Sequence, residues 1–306
     1  MGVLDGKLVA EKIQREIGLE IERLKSERGI VPGLVVIMVG DHAASAAYVG
    51  SKSKLAEKMG IHSRLLKLPG NAAAADVIRE VAAANDDRSV HAILVQMPLP
   101  GHIDPWEVID RIAPEKDVDA LHPFNQGLIL HNRGHIFPCT PLGVMRILDH
   151  YGIDPAGMNA AVVGRSSLVG KPMAMMLTNR NATVTLCHSR TAGLTGILRE
   201  SSLVVAAIGK PGFISADMIN PGAVLIDVGI NRIDKEDDFD KYCPRSQYEA
   251  FKKKGSVITG DIHYQAFAKA LHHTPVPGGV GPLTVTMLMH NTVELCKRSI
   301  SIMSDK

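Results

Sequence analysis

Apolar positions along the chain alternate between two periods. From Leu8 to Arg28, Val9, Ile13, Ile17, Ile21 and Leu24 recur at helical spacing among Glu, Lys and Arg. That spacing predicts an amphipathic helix ended by Gly29. Leu34 to Val39 (L-V-V-I-M-V) is apolar throughout and predicts a buried strand, closed by Gly40-Asp41. A second helix is expected through about Met59, where Gly60 caps it. The strand His62–Leu68, an alanine-rich helix Ala72–Ala84 and the strand His91–Val95 follow, the last running into Gln96-Met97-Pro98. Further helices are expected over Trp106–Ile112 and Leu142–Tyr151. The second is entered through the stiff turn Pro138-Cys139-Thr140-Pro141 and left through Gly152-Ile153-Asp154-Pro155. Strands alternating with helices indicate the α/β class with a largely parallel sheet. In such sheets ligands gather beyond the carboxyl ends of the strands, which places Asp41 and Gln96 near one edge of one cleft.

The organising stretch is Ala160–Pro172, A-A-V-V-G-R-S-S-L-V-G-K-P. An apolar strand ends at Gly164, Ser166 and Ser167 offer cap oxygens, and Gly170-Lys171-Pro172 opens a helix. Strand, glycine turn and helix N-terminus are the parts of a phosphate site, where backbone N–H groups and the helix dipole face an anion. Of the usual dinucleotide fingerprint only the first and last glycines have counterparts, Gly164 and Gly170, and a packed strand–helix corner explains the stretch about as well. Thr183–Cys187 is expected to be the second strand of the same fold. An NAD-specific fold places an acid at its end, whereas this chain has His188-Ser189-Arg190-Thr191, with Arg165 beside the glycine turn. Together these favour the 2′-phosphate of NADP. Leu203–Ile208 and Ala223–Val228 supply two more strands.

Asp234 to Lys254 is charged, lacks a sustained apolar period and reads as a surface excursion. Thr274–Pro282 (T-P-V-P-G-G-V-G-P) cannot be a regular helix or strand. It serves as a rigid hinge, as a backbone wall against a flat ligand, or as both. A long apolar-faced helix is expected over Thr284–Arg298.

The chain has 306 residues, 45% of them hydrophobic and 22% charged, which suits one large globular domain or two ordinary ones. A net charge of +2 gives no reason to expect nucleic acid or an anionic membrane as partner. Cys139, Cys187, Cys243 and Cys296 form no C-x-x-C pair, which argues against a disulfide framework or zinc site and suits a reducing cytosol. The first residues are too polar for a signal peptide, and no apolar run approaches the ~18–20 residues of a membrane helix. A cytoplasmic protein is expected. His122, His131/His135 and His272/His273 lack metal-site spacing, so no metal is expected.

Two features of the first half are able to carry chemistry. Tyr48-x-x-x-Lys52 puts two side chains on one helical face. A half-buried Tyr beside a solvated Lys is the plain alternative. A short-chain-dehydrogenase pair is rejected, because such a pair should follow the dinucleotide fold and here it precedes it. In Pro114-Glu115-Lys116-Asp117-Val118-Asp119, acids at alternate positions point the same way if the segment is extended; otherwise it is a charged surface loop.

Taken together, the motifs resemble the FolD family of bifunctional methylenetetrahydrofolate dehydrogenase/methenyltetrahydrofolate cyclohydrolases. In order they are S-x-x-Y-V-x-x-K from Ser45, V-Q-M-P-L-P from Val95, P-E-K-D-V-D from Pro114 and P-C-T-P from Pro138. V-V-G-R-S-x-x-V-G-K-P from Val162, C-H-S-R-T from Cys187, D-V-G-I-N from Asp227 and P-V-P-G-G-V-G-P from Pro275 follow. The resemblance implies two α/β domains with a cleft between them. An amino-acid-dehydrogenase-like folate domain takes residues 1–147 with the C-terminal helix 284–306, and an NADP-binding Rossmann domain takes 148–283. It also implies a homodimer acting on tetrahydrofolate derivatives, polyglutamylated forms among them, in one-carbon metabolism and purine biosynthesis.

By the same resemblance, Lys52 is the catalytic lysine, Tyr48 positions or stacks on the folate, Gln96 hydrogen-bonds the lysine and Asp119 contacts the pterin ring. Pro277 and Gly278 pack on the substrate. Gly164 belongs to the cofactor turn, Arg165, Ser166 and Ser189 hold NADP phosphates, and Thr140, Ile230 and Thr284 contact NADP nearer its nicotinamide. Three positions depart from the family pattern: Ala120 for a glycine, Leu283 for Met or Phe, and His263 for Asp. If the backbone at Ala120 needs a positive φ, its Cβ strains the loop that holds Asp119. The implied reactions are oxidation of 5,10-methylenetetrahydrofolate by NADP and hydrolysis of the methenyl product to 10-formyltetrahydrofolate. The alternatives are another two-domain NADP oxidoreductase, shikimate-dehydrogenase-like, and a folate- or nucleotide-binding protein without catalysis.

Overall fold

The computed structural model describes residues 2–40 and 43–304, apart from the side chains of 43–48 and 302–304. Asp41 lies outside the described residues. In chain order the first elements are β1 (Gly2–Val3), α1 (Gly6–Arg28), β2 (Gly33–Val39), α2 (Ala43–Lys58), β3 (His62–Leu68), α3 (Ala74–Asp86) and β4 (Ala92–Val95). Then come α4 (Pro105–Ile109), α5 (Pro123–Leu130), α6 (Cys139–His150), β5 (Asn159–Val163), α7 (Gly170–Asn179), β6 (Thr183–Cys187), α8 (Leu194–Glu200), β7 (Leu203–Ala206) and β8 (Val224–Asp227). The chain ends with β9 (Asn231–Ile233), α9 (Glu236–Tyr242), α10 (Tyr248–Lys254), β10 (Val257–Thr259), β11 (His272–His273) and α11 (Val280–Ser304). No helix among the described residues is long and apolar enough to cross a membrane.

The chain forms two compact units, residues 11–139 with 285–306 and residues 1–10 with 140–284. The divisions fall inside α1, α6 and α11, whereas the sequence reading sets them at 147/148 and 283/284. Residues 2–3 pair as β1 with β11, which carries the first ten residues into the second unit.

The first unit holds a parallel three-stranded sheet in the order β3-β2-β4. Every residue of β2 is buried, because the central strand is covered on both faces. Val35, Ile37 and Val39 point to one face and pack with Ile93, Val95, Val77, Val81, Val108 and Ile112. No residue of the edge strand β3 is fully buried; its positions are exposed or partly buried. One helix not expected from the sequence, α5, begins where His122 accepts the Phe124 N–H at 3.1 Å and Pro123 supplies the first helical φ.

The second unit holds a six-stranded parallel sheet in the order β1-β11-β8-β7-β5-β6. From β5 the chain steps to β6 on one side and then to β7 on the other, so the strand order reverses there. That reversal makes a crevice beyond the ends of β5 and β7, the binding position of doubly wound folds.

Two sequence expectations are corrected. Residues 234–254 are not a loose excursion: β9, α9, α10 and β10 enclose a small core of Ile233, Phe239, Cys243 and Phe251. The apolar residues are divided between two short helices, so neither shows a period. The segment 274–282 is irregular only to Gly279, since α11 starts at Val280 and includes Pro282. Proline is tolerated there because N–H groups of a first helical turn have no intrahelical acceptor.

Candidate active site

Val49, Lys52 and Ala56 are buried on α2 at spacings of three and four, so Lys52 sits within the core-facing stripe of its helix. Tyr48 is on the same helix, and its side chain lies outside the described residues. Gln96 follows the end of β4 and is tied to β2 through its N–H to Ile37 O at 2.8 Å. Its Nε2 donates to Met97 O at 2.6 Å, which turns Oε1 toward α2. That oxygen accepts from Lys52 Nζ at 2.9 Å. Burial lowers the Lys52 pKa, and the nearby Asp119 carboxylate works against the shift.

The acids of P-E-K-D-V-D do not act as a pair. Asp117 is buried and accepts from Leu121 N, His122 N and Asn125 Nδ2 at 3.2, 2.8 and 2.8 Å, so it folds the loop into α5. Burial raises its pKa, opposed by these bonds. Lys116 is also structural, its ammonium donating to Ala84 O, Asn85 O and Asp87 O at the end of α3. Asp119 is half-buried and accepts the N–H of Cys139, the first residue of α6, at 2.9 Å. Ala120 adopts φ +50° and is fully buried, so the departure from glycine does place a Cβ in the left-handed region. The Cys139 thiol is buried, and burial together with Asp119 pushes its pKa well up, which makes it a packing group. The first unit therefore brings together Lys52, Gln96 and Asp119, with Cys139 beneath them. A carboxylate and a desolvated amine there suit proton transfer.

In the second unit the turn between β5 and α7 requires its two glycines. Gly164 has φ +127°, and a Cβ there would stand 2.1 Å from Ala207 O. A Cβ on Gly170 would stand 1.9 Å from Gly164 O. Backbone thus approaches backbone where a pyrophosphate cradle needs it. Ser166 Oγ accepts from Val169 N at 3.2 Å and Gly170 N at 3.3 Å, so it caps the turn. Arg165 and Ser166 are exposed there, and Ser189 and Arg190 are exposed past β6. Ile230, 52% exposed, follows β8, and the hydroxyls of Thr140 and Thr284 lie 3.0 Å apart. Pro277 is exposed and Gly278 has φ +107°, with its carbonyl accepting from Lys7 N at 3.1 Å.

Sequence reasoning misses a buried carboxylate pair. Asp261 Oδ2 accepts from Ile208 N and Gly209 N at 2.6 and 2.9 Å, and Oδ1 from Lys210 N and Asn231 Nδ2 at 2.9 and 2.8 Å. Asp227 accepts from Gly229 N, Asp261 N and Ile262 N at 2.8–2.9 Å. Burial raises the Asp227 pKa to about 7, against the pull of these N–H groups. The signal lay in the glycines: a Cβ on Gly229 would meet the Asp261 carboxyl, and one on Gly260 the Asp227 carboxyl. His263, where the family pattern has Asp, caps the next turn through Nδ1 from Gln265 N at 3.3 Å, while Nε2 lies 3.0 Å from Lys241 O. Leu283 is fully buried against Gly143, where a Cβ would stand 2.9 Å from its own Cβ.

A parallel doubly wound unit with a glycine turn at its switch point, and a second α/β unit with a buried amine, define a nucleotide-dependent two-unit enzyme. Residues 4–119 match the catalytic domain, and residues 138–300 the NAD(P)-binding domain, of tetrahydrofolate dehydrogenase/cyclohydrolase. The chain belongs to this family. It is 46% identical to the bifunctional protein FolD of Moorella thermoacetica over 297 residues, covering 97% of this chain and 99% of that one. Among solved structures it resembles the bifunctional FolD of Campylobacter jejuni, with a TM-score of 0.89, 40% identity and coverage of 98% and 99%. The FolD of Trypanosoma brucei, solved with NADP cofactor and an inhibitor, gives a TM-score of 0.89, 38% identity and coverage of 97% and 98%.

Proposed function

We propose that the chain oxidises 5,10-methylenetetrahydrofolate to the 5,10-methenyl compound with NADP and hydrolyses that product to 10-formyltetrahydrofolate. The observation that carries this reading is the desolvated Lys52 ammonium on Gln96, with Asp119 close enough to influence its charge. NADP, when bound, supplies a hydride acceptor. The residues present fit it. Gly164 and Gly170 let backbone pack on backbone where a Cβ would collide, so the turn closes tightly; Ser166 orders it, and Arg165 with Ser189 offers donors for phosphates. Thr140, Thr284 and Ile230 line the approach nearer the nicotinamide.

The folate is held in the three-stranded unit, where Asp119 accepts from the pterin and Tyr48 has the folate-positioning role. Oxidation needs alignment of the methylene carbon and no protein base. Hydrolysis needs proton handling: water adds to the methenyl carbon and gives one proton to Lys52. The resulting hydroxyl then loses its proton to form the formyl C=O as the carbon–N5 bond breaks and N5 takes a proton, so that one proton is released overall. A lowered pKa brings Lys52 closer to accepting the water proton near neutrality. Gln96 holds the amine in place.

The protein works as a cytoplasmic homodimer in one-carbon metabolism, feeding purine biosynthesis, with polyglutamylated folates among its substrates. Four free, buried cysteines support a reducing compartment. One spectrophotometric assay with methylenetetrahydrofolate and NADP tests the reading, following NADPH and the methenyl intermediate together. NADPH formation followed by decay of the methenyl absorbance is expected. Absence of NADPH formation refutes it.

A further inference from the structure

Asn291 on α11 is 1% exposed, and its side chain spends both N–H hydrogens on backbone carbonyls. Nδ2 donates to Val118 O and to Phe137 O, each at 2.8 Å, and lies 3.7 Å from Cys139 Sγ. Val118 immediately precedes Asp119. Phe137 lies two residues before Cys139, whose N–H donates to Asp119 at 2.9 Å. The Cys139 thiol also reaches Val118 O at 3.8 Å. One amide therefore joins the two backbone segments that converge on a single carboxylate.

The loop has reason to need such a tie. Ala120 holds φ +50°, a conformation that costs an L-residue free energy and persists only when its surroundings impose it. Asp117 and Gln126 fix the loop on its α5 side, through Leu121 N, His122 N and Ala120 O. Asn291 fixes the carbonyl next to Asp119. A leucine of nearly the same shape would leave Val118 O and Phe137 O without this buried donor, and both segments would shift toward other partners.

We infer that Asn291 is a positioning residue for folate recognition, acting through Asp119. This rests on the reading of Asp119 as the folate contact. The test is a double-mutant cycle with Asp119→Asn and Asn291→Leu. Affinity for 5-formyltetrahydrofolate, a stable folate, is measured by calorimetry, and NADP affinity serves as control. Asn291→Leu is expected to weaken folate binding by about tenfold to a hundredfold, with the NADP Kd changed by less than about twofold. In the Asp119→Asn background the same change is expected to weaken folate binding by less than about threefold, because the route is already cut. Equal losses in both backgrounds, or parallel losses for folate and NADP, overturn the inference. If Asp119→Asn weakens folate binding and Asn291→Leu does not, the inference alone fails. If Asp119→Asn has no effect, the folate role of Asp119 fails and this inference falls with it. Should Asn291→Leu not fold, Asn291→Ser, which keeps one hydroxyl donor, carries the same cycle with the same deciding outcomes.

Discussion

The backbone N–H of Asp261 donates to the Asp227 carboxylate at 2.9 Å, so one buried acid holds the other in place. Asp261 in turn gathers the N–H groups of Ile208, Gly209 and Lys210 just past β7. These loops border the switch point of the six-stranded sheet, where a nucleotide is expected. Asp261→Ala orphans four donors at once. A loss of about 2–4 kcal/mol is expected, given roughly 1–3 kcal/mol for an unsatisfied buried group and partial replacement by water. Thermal unfolding with and without NADP checks it. An unchanged midpoint together with unchanged NADP affinity would show that the loops hold without the acid.

Arg165 is exposed on the glycine turn, and no acid follows β6. A hydrogen bond to a charged group contributes roughly 1.5–3 kcal/mol. Arg165→Ala is therefore expected to weaken NADP use by about one to two orders of magnitude and to leave NAD use nearly unchanged. Steady-state constants with both cofactors decide the matter, and equal losses would remove the 2′-phosphate assignment.

Ala120 permits a paired test of strain. Ala120→Gly relieves roughly 1–2 kcal/mol of left-handed cost. It also gives up about 0.4–1 kcal/mol to the freer unfolded chain and about 0.8 kcal/mol of buried methyl. The net change in stability is expected within about 1 kcal/mol, with folate affinity unchanged. Ala120→Val adds a β-branch at φ +50° inside a filled core and is expected to cost about 2–5 kcal/mol. Denaturant unfolding of the two variants distinguishes a strained loop from a merely crowded one. Similar small effects for both would exclude strain.

Lys52→Met keeps the bulk of the side chain and removes its ammonium. Cyclohydrolase activity is expected to fall about 10²–10⁴-fold, the dehydrogenase less, and the methenyl compound to accumulate. Hydrolysis at the wild-type rate would leave Lys52 as a helix residue only. The same pair carries a stability signature. Burial lowers the folded pKa of Lys52 below its unfolded value, so the unfolded chain binds the extra proton between the two. Stability of the wild type relative to Lys52→Met is then expected to rise with pH through that window, toward about 10.4. Melting curves from neutral to alkaline pH measure the slope, and a slope of opposite sign contradicts a desolvated ammonium.

Legibility in the sequence followed burial and periodicity. The run L-V-V-I-M-V announces β2 because a central parallel strand is apolar on both faces. β11 escapes notice because two histidines carry no period, and their place in the sheet depends on β1 and β8 on either side. Phe239 and Phe251 lie on separate seven-residue helices, so their shared core is invisible until the chain is folded. Within the candidate site, Lys52, Gln96 and Asp119 are readable through their motifs. Asp227 and Asn291 are not, because an acid in D-V-G-I-N and an amide on an apolar helix look like surface until their burial is known.

The pairing of β1 with β11 also has a consequence for synthesis. Gly2 and Val3 are made long before their sheet partners, His272 and His273. At roughly 5–20 residues per second, those partners follow only after about 15–50 s. Throughout that interval Gly2 and Val3 lack the strand they pair with. The three-stranded sheet, complete by Val95, is free to form long before. Translation thus orders assembly: the three-stranded sheet beside the Lys52 helix precedes closure of the nucleotide-binding one, and a ribosome stalled before Leu271 would carry a chain whose Gly2–Val3 segment is unpaired.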